Sequence, residues 1–285
     1  MLTQAIKRAL YLYKDYKLKD FSKALLRKLK LPKYLGSTHL CPVCHTRLKC
    51  FKPIFKSFLR KLGEYGFVYP VESFETLNVS AYSCPSCDAS DRDRLYALFL
   101  EERFQALKRG KVYKFVDFAP SLPLSRKLRT CSLLDYRSAD LHRKTADDRV
   151  DITDMALYAN DSIDMFLCSH ILEHVPDDQK AMRELHRILK PGGFGIVMVP
   201  IITVLQDTHE DTSITSPEGR WKYFGQDDHL RQYYRAGENG LVTRLQKAGF
   251  TVHLYAVEHF GAAAFDKHGI ARNSVLYVVE KQAAE

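Results

Sequence analysis

Residues 161–178, DSIDMFLCSHILEHVPDD, decide the fold. Within them, Ile163–Cys168 is a short and mostly apolar run that predicts a buried strand. An amphipathic pattern follows over Asp177–Lys190 and predicts a helix, which we expect to end at Pro191-Gly192-Gly193. Gly195–Pro200 predicts a second buried strand. A strand, a helix and another strand in this order are typical of a parallel sheet with helices packed on its faces.

The segments on either side continue this alternation. Helical patterns cover Ser121–Arg129 and Glu238–Ala248, and a further helix is predicted to begin after a cap at Asp88 or Ser90 and to end at Gly110. The last two predicted strands have no long helix between them, so we expect an antiparallel hairpin at the sheet edge. The predicted fold class is therefore α/β, with a doubly wound, mostly parallel seven-stranded sheet whose ligands bind at the carboxyl ends of the strands. Its strands are predicted at Val112–Phe118, Asp135–Ala139, Arg149–Thr153, Ile163–Cys168, Gly195–Pro200, Thr251–Val257 and Val275–Lys281.

Four of the seven cysteines form two CPxC motifs, Cys41-Pro-Val-Cys44 and Cys84-Pro-Ser-Cys87. A CxxC turn directs two thiolates at a point about 2.3 Å away, and two such turns complete a tetrahedral site for Zn²⁺. Four thiolates saturate the ion, so the predicted zinc is structural. A redox dithiol would need only one of the two pairs. The long insert between the pairs contains apolar residues at helical spacing, which predicts a folded excursion.

The positive charge is concentrated at one end of the chain. Residues 1–35 contain ten Lys and Arg against two Asp, which is +8 of the net charge of +9. Apolar residues at helical spacing predict a basic helical hairpin there. Three roles stay open for this arm: packing on the body, docking on an anionic membrane surface, or binding an acidic partner. Because the other residues are nearly neutral, a nucleic-acid partner is not expected.

Composition sets further limits. With 46% hydrophobic and 27% charged residues, the chain is typical of a globular protein and is too apolar for disorder. Residues 1–15 lack the pattern of a secretory signal, and no apolar run has the length of a membrane span. We therefore expect a cytoplasmic location, with peripheral membrane contact only through residues 1–35.

The decisive stretch, together with ELHRILKPGG at residues 184–193, resembles the fourth-strand region of class I S-adenosylmethionine (SAM)-dependent methyltransferases. Residues 111–281 also follow the order of elements expected of that fold. The two CPxC motifs and FGQDDHLRQY at residues 224–233 further resemble a bacterial subgroup with a cysteine-rich N-terminal module. The resemblance implies three parts: the basic arm (1–35), a zinc-ribbon-like module with its insert and linker helix (36–110), and a methyltransferase domain (111–285).

The same resemblance implies a set of residues that bind SAM. Asp140 would accept both ribose hydroxyls, with Asp135 as the alternative, because one carboxylate can accept two hydroxyl protons. Asp151 would bind the adenine amino group, with Asp154 as second choice. The family's glycine-rich loop is replaced by Ala119 and Pro120, and no glycine occurs between Gly110 and Gly192. The full set expected to bind the cofactor is Asp117, Ala119, Pro120, Asp140, Asp151, Ile152, Asp154, Ser169 and His170.

Residues that bind the acceptor are expected in the irregular segment 201–236. His229 is the predicted base that removes a proton from an acceptor hydroxyl, and His170 is expected near the transferred methyl group. Arg231 is predicted to bind a carboxylate or phosphate of the acceptor. Alternatively, Asp228, His229 and Arg231 form a structural cluster. The resulting prediction is O-methylation of a small-molecule or carbohydrate-type acceptor.

Three other functions compete with this prediction. His170-Ile-Leu-Glu-His174 fits the H-x-x-E-H pattern of one metallopeptidase class, but a strand before it and LKPGG after it are the wrong context. A nucleic-acid methyltransferase would use the zinc module and the basic arm to bind its substrate. A non-catalytic scaffold with the same fold would explain the missing glycine loop.

Overall fold

The computed structural model describes Arg27 and residues 29–283. The helical hairpin predicted for the basic arm lies almost entirely outside these residues. The described strands are β1 Leu35–Leu40, β2 Arg47–Leu48, β3 Tyr113–Phe118, β4 Leu134–Asp140, β5 Asp148–Arg149, β6 Ile163–Ser169, β7 Leu189–Met198, β8 His209–Glu210, β9 Arg231–Gln232, β10 Thr251–Tyr255 and β11 Leu276–Glu280. The described α-helices are α1 Lys56–Glu64, α2 Asp91–Gln105, α3 Leu122–Arg129, α4 Asp178–Ile188, α5 Pro217–Phe224, α6 Leu241–Lys247, α7 Val257–Phe260 and α8 Ala262–His268.

The centre of the molecule is a seven-stranded sheet in the order β10-β11-β7-β6-β3-β4-β5. Strands β5, β4, β3, β6 and β7 are parallel, whereas β11 is antiparallel to both of its neighbours. The predicted α/β, mostly parallel, Rossmann-like sheet with an antiparallel hairpin at one edge is thus confirmed. The chain reverses its direction of winding between β3 and β6, which is where such sheets bind ligands.

The register of the central strands brings their carboxyl ends level. Phe118, near the end of β3, pairs with Ala139 of β4 on one side and with Cys168 of β6 on the other. Five of the six residues of β6 before Ser169 are apolar and all six are buried, as expected for a strand that is covered on both faces. The loops after β3, β4 and β6 therefore meet at one edge of the sheet.

Three predicted boundaries differ from the structure. The strand predicted at Arg149–Thr153 is the two-residue β5, because Asp151 and Asp154 bridge each other in a tight turn. The helix before LKPGG ends at Ile188, and β7 begins directly at Leu189. Pro191-Gly192-Gly193 lies inside β7 at an irregular register, where a Cβ on Gly193 would lie only 2.7 Å from the Asp164 carbonyl oxygen. Gly193 therefore permits close contact between strands rather than ending the helix.

Helix α2 connects the cysteine motifs to the sheet. Ser90 caps it through a capping box with Asp93, and the helix ends at Gln105, earlier than the predicted end at Gly110. Its fully buried Arg94 donates to backbone carbonyls on both sides of the contact, those of Tyr82, Ala89, Ala81, His268 and Gly269. A buried guanidinium that is saturated in this way fixes the cysteine-bearing segment to α8.

Candidate functional site

A cavity of about 760 Å³ lies at the carboxyl ends of β3, β4 and β6. It collects five of the residues predicted to bind a cofactor, although these residues come from four separate loops. Asp140 and Asp151 lie on the same cavity rather than on opposite faces of the sheet. The predicted residues that line it are Ala119, Asp140, Asp151, Ile152 and His170.

Two non-glycine residues at this edge of the sheet have a left-handed backbone conformation. Ala119 has φ +48° and His170 has φ +56°. The Ala119 N–H donates to the Ala139 carbonyl at 2.8 Å, and the His170 N–H donates to the Met198 carbonyl at 2.8 Å. Backbone in this region costs an L-residue about 1–2 kcal/mol and is frequent at binding sites. Ala119 thus supplies the bend for which the sequence offers no glycine.

The two carboxylates predicted to contact the nucleoside differ in their surroundings. Asp140 Oδ1 accepts the backbone N–H groups of His142 and Arg143, each at 2.8 Å, which fixes the carboxylate beside the cavity. Asp151 is exposed, and hydrogen bonds from the Thr153 N–H and hydroxyl hold its pKa below the ordinary value. Asp154 is exposed and does not line the cavity, and Asp135 lies at the opposite end of β4.

A second cavity of about 290 Å³ adjoins the first at Ala119 and His170 and contains Asp117, Pro120 and Ser169. Asp117 is buried, and its Oδ2 accepts the Tyr136 hydroxyl at 2.7 Å. Its Oδ1 has no hydrogen-bond partner among the described residues. Burial raises the pKa of Asp117 to about 7. A positively charged group in this cavity would satisfy the free oxygen and stabilise the carboxylate.

A third cavity of about 190 Å³ lies on the other side of His170. Its walls are mostly apolar and aromatic, and its polar residues include Arg92 and His229. His170 lines all three cavities, and the Arg92 guanidinium donates to its Nε2. Burial, followed by the charge of Arg92, lowers the pKa of His170 to about 4, so this imidazole is neutral near pH 7. His170 is the single residue through which the three cavities meet.

Next to His170 lies a mostly buried group of three residues, which we call the Glu-His cluster: Glu173, His174 and His229. One ligand atom from each of its three residues lies within 4.8 Å of the others. Neither Glu173 oxygen nor His229 Nε2 has a hydrogen-bond partner among the described residues. Burial acts to raise the pKa of Glu173, but contact with His170 and the other imidazoles holds it below its ordinary value. Burial also lowers the pKa of His229, which is therefore neutral at pH 7.

Arg231 lies elsewhere. It lines none of the three cavities, and its guanidinium donates to the carbonyls of Leu172, Val175 and Pro176 at 2.6–3.0 Å. It also pairs with Glu210. These contacts leave no pair of free N–H groups on Arg231 to bind an acceptor. In this structure Arg231 instead holds the turn that carries Glu173 and His174 in place.

The H-x-x-E-H pattern does not form a peptidase site. His170 precedes the 3-10 helix Leu172–His174 and has a left-handed backbone, so it does not lie one α-helical turn before His174. The ring nitrogens of His170 face Arg92 and Glu173. The two histidines of the pattern therefore have different neighbours and do not hold one ion as the peptidase arrangement requires.

The four cysteines of the CPxC motifs converge at the start of α2, in what we call the four-cysteine cluster. Cys41 Sγ lies 3.8 Å from Cys87 Sγ, and Cys44 Sγ lies 3.8 Å from Cys84 Sγ. This separation is too long for disulfides. Two thiolates that share a tetrahedral zinc ion, each about 2.3 Å from it, lie about 3.8 Å apart. The donor set and its spacing are thus compatible with Zn²⁺.

Sequence reasoning missed the part of the site that α2 and the insert provide. Arg92 and Tyr96 of α2 face the small cavity, where the Tyr96 hydroxyl is 2.8 Å from Ser169 Oγ. Phe55 and Phe58, from the insert between the CPxC motifs, line the aromatic cavity. No local pattern distinguishes these residues from ordinary helix or core positions, because their role depends on how the insert folds over the sheet edge.

Residues 119–197, less than a third of the chain, match the family model of a methyltransferase domain. No curated protein matches the chain significantly. Similar solved structures include the CurJ carbon methyltransferase (13% identity, TM-score 0.43, 67% of this chain and 54% of that one). Others are a chain of the complex between the Haloferax volcanii Trm112 methyltransferase activator and a putative methyltransferase (15%, 0.40, 67% and 94%) and a putative sarcosine dimethylglycine methyltransferase from Galdieria sulphuraria (13%, 0.44, 68% and 86%).

The chain spans about half the length of the CurJ protein that it resembles. The domain match and the strand order together support a SAM-dependent methyltransferase, which is a transferase. Among the described residues, no helix combines the length and the apolar character that a bilayer crossing requires.

Proposed function

We propose that this protein is a SAM-dependent methyltransferase that methylates an oxygen atom of a small or carbohydrate-type acceptor. The observation that carries the proposal is the position of His170. Among the described residues, it is the only one that lines both the cleft at the carboxyl ends of the strands and the aromatic cavity. A cofactor in the cleft and an acceptor in the aromatic cavity would therefore meet at His170, which is the arrangement that in-line transfer needs.

The cleft fits a nucleoside that carries an amino-acid tail. Asp140 would accept the ribose hydroxyls, and Asp151 would accept the adenine amino group, as the resemblance to the family implies. Asp117, with its unpartnered and buried Oδ1, would bind the ammonium group in the small cavity. When bound, SAM supplies a methyl group that is already activated, so the protein's own task is to hold and align the two reactants.

The acceptor side combines a small apolar space with few polar groups. A volume of about 190 Å³ admits a small molecule or one ring of a larger one. Aromatic walls suit the apolar face of a sugar or an aromatic ring. His229 Nδ1 faces the Phe224 carbonyl at 2.8 Å, so Nε2 carries the lone pair. That lone pair can take the proton of an acceptor hydroxyl directly, or it can bind a cation that makes the hydroxyl more acidic.

The four-cysteine cluster is proposed to hold a structural zinc ion. Its second CPxC motif ends four residues before α2 begins, and α2 carries Arg92 and Tyr96 into the cavities. A saturated thiolate site does no chemistry on a substrate but fixes the backbone around it. The zinc would therefore position the start of α2 against the cofactor. We also propose that the chain divides into three parts, with boundaries after residues 35 and 110. The basic arm (1–35) is proposed to dock on a membrane or on an acidic partner.

The test begins with zinc-loaded protein and calorimetric titration of SAM. We expect binding by the wild type and at least tenfold weaker binding by Asp140→Ala. Asp135→Ala is the matched control, because Asp135 is an exposed carboxylate at the far end of the same strand. Absence of SAM binding by the folded wild type would instead favour a non-catalytic scaffold.

The acceptor is identified by transfer of a labelled methyl group from SAM into an extract of metabolites and glycans. Mass spectrometry and NMR then locate the label on oxygen, nitrogen or carbon. A label on nitrogen or carbon would overturn the O-methylation part of the proposal and would leave the methyltransferase part intact. Labelling of polynucleotide, lost at high salt, would favour the nucleic-acid alternative.

A further inference from the structure

We propose that Glu173, His174 and His229 form a second metal site, which binds a divalent transition-metal ion between the cofactor cleft and the acceptor cavity. The role of the ion rests on the proposed function, because the ion would bind the acceptor oxygen. The existence of the site does not rest on it.

The first step is the set of free donor atoms. Glu173 is fully buried, and neither of its oxygens has a hydrogen-bond partner in the described part of the chain. His229 is 2% exposed, and its Nε2 is likewise unpartnered. Buried polar atoms are nearly always satisfied in native proteins. Three such atoms on two neighbouring side chains indicate a ligand that accepts lone pairs.

The second step is charge. A carboxylate that is removed from water requires a cation or a strong hydrogen-bond network. In the described residues, no Lys or Arg forms an ion pair with Glu173, and the polar atom beside its Oε1 is His170 Nδ1, at 3.1 Å. Arg92 reaches only the far nitrogen of that imidazole. A metal ion bound by Glu173 would supply the missing positive charge.

The second ring nitrogen of each histidine in the cluster has a partner that can fix the orientation of the ring. Histidines that bind metals usually donate their other ring N–H to a carbonyl or a carboxylate, which fixes the tautomer and the ring orientation. His229 Nδ1 faces the Phe224 carbonyl at 2.8 Å, and His174 Nδ1 faces Asp228 Oδ2 at 3.2 Å. In each imidazole this leaves Nε2 as the ring nitrogen available to a metal ion. The Leu230 N–H donates to the Glu173 carbonyl at 2.8 Å, which joins the two segments that carry the ligands.

The donor set selects the kind of ion. Two imidazole nitrogens and one carboxylate oxygen suit Zn²⁺, Mn²⁺, Co²⁺ or Fe²⁺, whereas Mg²⁺ and Ca²⁺ prefer sites made of oxygens. Three protein ligands leave at least one coordination position open. His174 lines the cofactor cleft and His229 lines the aromatic cavity, so the site lies between the two. An acceptor hydroxyl bound there would have a lower pKa, would release its proton to water, and would then be the better nucleophile.

The test measures metal binding directly and does not depend on activity. Protein whose four-cysteine cluster is loaded with zinc is dialysed and titrated with MnCl2, with EPR as the readout, and separately with CoCl2, with visible absorption as the readout. We expect wild-type protein to bind a single further ion. Glu173→Gln and His229→Gln should weaken its binding by more than tenfold. Asp228→Asn, which removes the negative charge beside His174 Nδ1, should weaken it by about tenfold.

The matched control is His253→Gln, since His253 is a half-exposed imidazole at the sheet edge that lies outside the cluster. It should bind the ion as the wild type does. MnCl2 should also raise the melting temperature of the wild type and of His253→Gln but not of Glu173→Gln. If Glu173→Gln fails to fold, His174→Gln replaces it, because His174 is partly exposed at the edge of the cleft.

The inference is overturned if the folded wild type binds neither Mn²⁺ nor Co²⁺ beyond the four-cysteine cluster, or if folded Glu173→Gln and His229→Gln bind them as the wild type does. Titration with SAM separates the two proposals. An ion that binds to protein without affinity for SAM supports the metal site and refutes the methyltransferase. Methyl transfer by protein that binds no further ion refutes the metal site alone.

Discussion

The four-cysteine cluster and the Glu-His cluster are both buried groups of potential metal ligands, but they are built in opposite ways. In the four-cysteine cluster, each CPxC motif forms the same local turn. The His45 N–H donates to the Cys41 carbonyl at 2.8 Å, and the Asp88 N–H donates to the Cys84 carbonyl at 2.9 Å. In the Glu-His cluster, His229 comes from a distant segment and is placed by tertiary contacts. All four ligands of the first cluster belong to recognisable sequence motifs, whereas the ligands of the second are brought together only by the fold.

The two clusters also differ in how well their polar atoms are satisfied. The described residues contain six buried side-chain polar atoms without a hydrogen-bond partner, and four of them belong to Asp117, Glu173 and His229. All four lie at the carboxyl end of the sheet. Unsatisfied groups are costly to bury, so their concentration at one place indicates that ligands complete this region. The proposed zinc ion would complete the four-cysteine cluster permanently, whereas the ligands proposed for the cleft would bind and be released.

The largest expected effect tests whether the four-cysteine cluster is structural. Cys84→Ser removes one thiolate from a buried four-thiolate site that holds the start of α2. We expect loss of stoichiometric zinc and a fall of more than about 5 kcal/mol in the free energy of unfolding, because structural zinc contributes its binding energy to folding. Zinc content by mass spectrometry and thermal unfolding measure these changes.

Cys50→Ser is the control for this prediction, because Cys50 is exposed and lies outside the cluster. It should retain zinc and the wild-type melting temperature. Full stability of Cys84→Ser, or of wild-type protein after chelation of its zinc, would show that the four-cysteine cluster is not what holds α2 in place.

This contrast explains what the sequence could predict. The βαβ pattern around residues 161–200 and the CPxC spacing are local, so the sheet and the convergence of the cysteines follow from them directly. Asp140 and Asp151 could be placed on one cavity because parallel strands end at one edge. Local patterns did not distinguish Arg231 as a buried cross-link from a substrate anchor, since both uses select an arginine beside polar and aromatic residues.

Other parts of the site depend on distant contacts. Arg92 and Phe58 reach the cavities because the insert and α2 fold over the edge of the sheet, and neither residue belongs to a recognisable motif. Ala119 was expected to stand in place of the family's glycine-rich loop, but its positive φ and the hydrogen bond from its N–H to the Ala139 carbonyl appear only in the folded sheet. Such geometry is a property of the assembled sheet and not of a short stretch of sequence.

The next largest expected effect is the pH dependence of protein stability that arises from Asp117, a buried carboxylate with one unpartnered oxygen. Burial raises the pKa of Asp117 to about 7 from its ordinary 3.8, so the folded protein binds this proton more tightly than the unfolded chain does. Its contribution to stability is therefore fully present below pH 4 and is lost as the pH rises to 7. The loss is about 4 kcal/mol. Unfolding by urea, measured from pH 4 to 7.5, should show a steeper decline for the wild type than for Asp117→Asn.

The other charged groups around Asp117 are retained in both proteins, namely Asp93, Arg129 and Arg143, together with the Tyr136 hydroxyl. The difference between the two proteins therefore isolates Asp117. Saturating SAM should flatten the decline in the wild type, since its ammonium group would stabilise the carboxylate. Identical pH profiles for the two proteins would show that burial does not raise the pKa of Asp117 in the folded protein.

The smallest effect tests the backbone of the cleft. Ala119→Gly removes the cost of a left-handed alanine, about 1–2 kcal/mol, and adds about 0.5–1 kcal/mol of backbone entropy to the unfolded chain. We expect a net stabilisation of up to about 1.5 kcal/mol, seen as a higher melting temperature. Ala139→Gly is the matched control, because Ala139 is buried beside Ala119 without a positive φ and should lose about 1 kcal/mol instead. Opposite signs at two neighbouring alanines would show that the bend at Ala119 is strained by its geometry, as expected of a cleft whose backbone is shaped for a ligand. Equal losses at both would remove that argument.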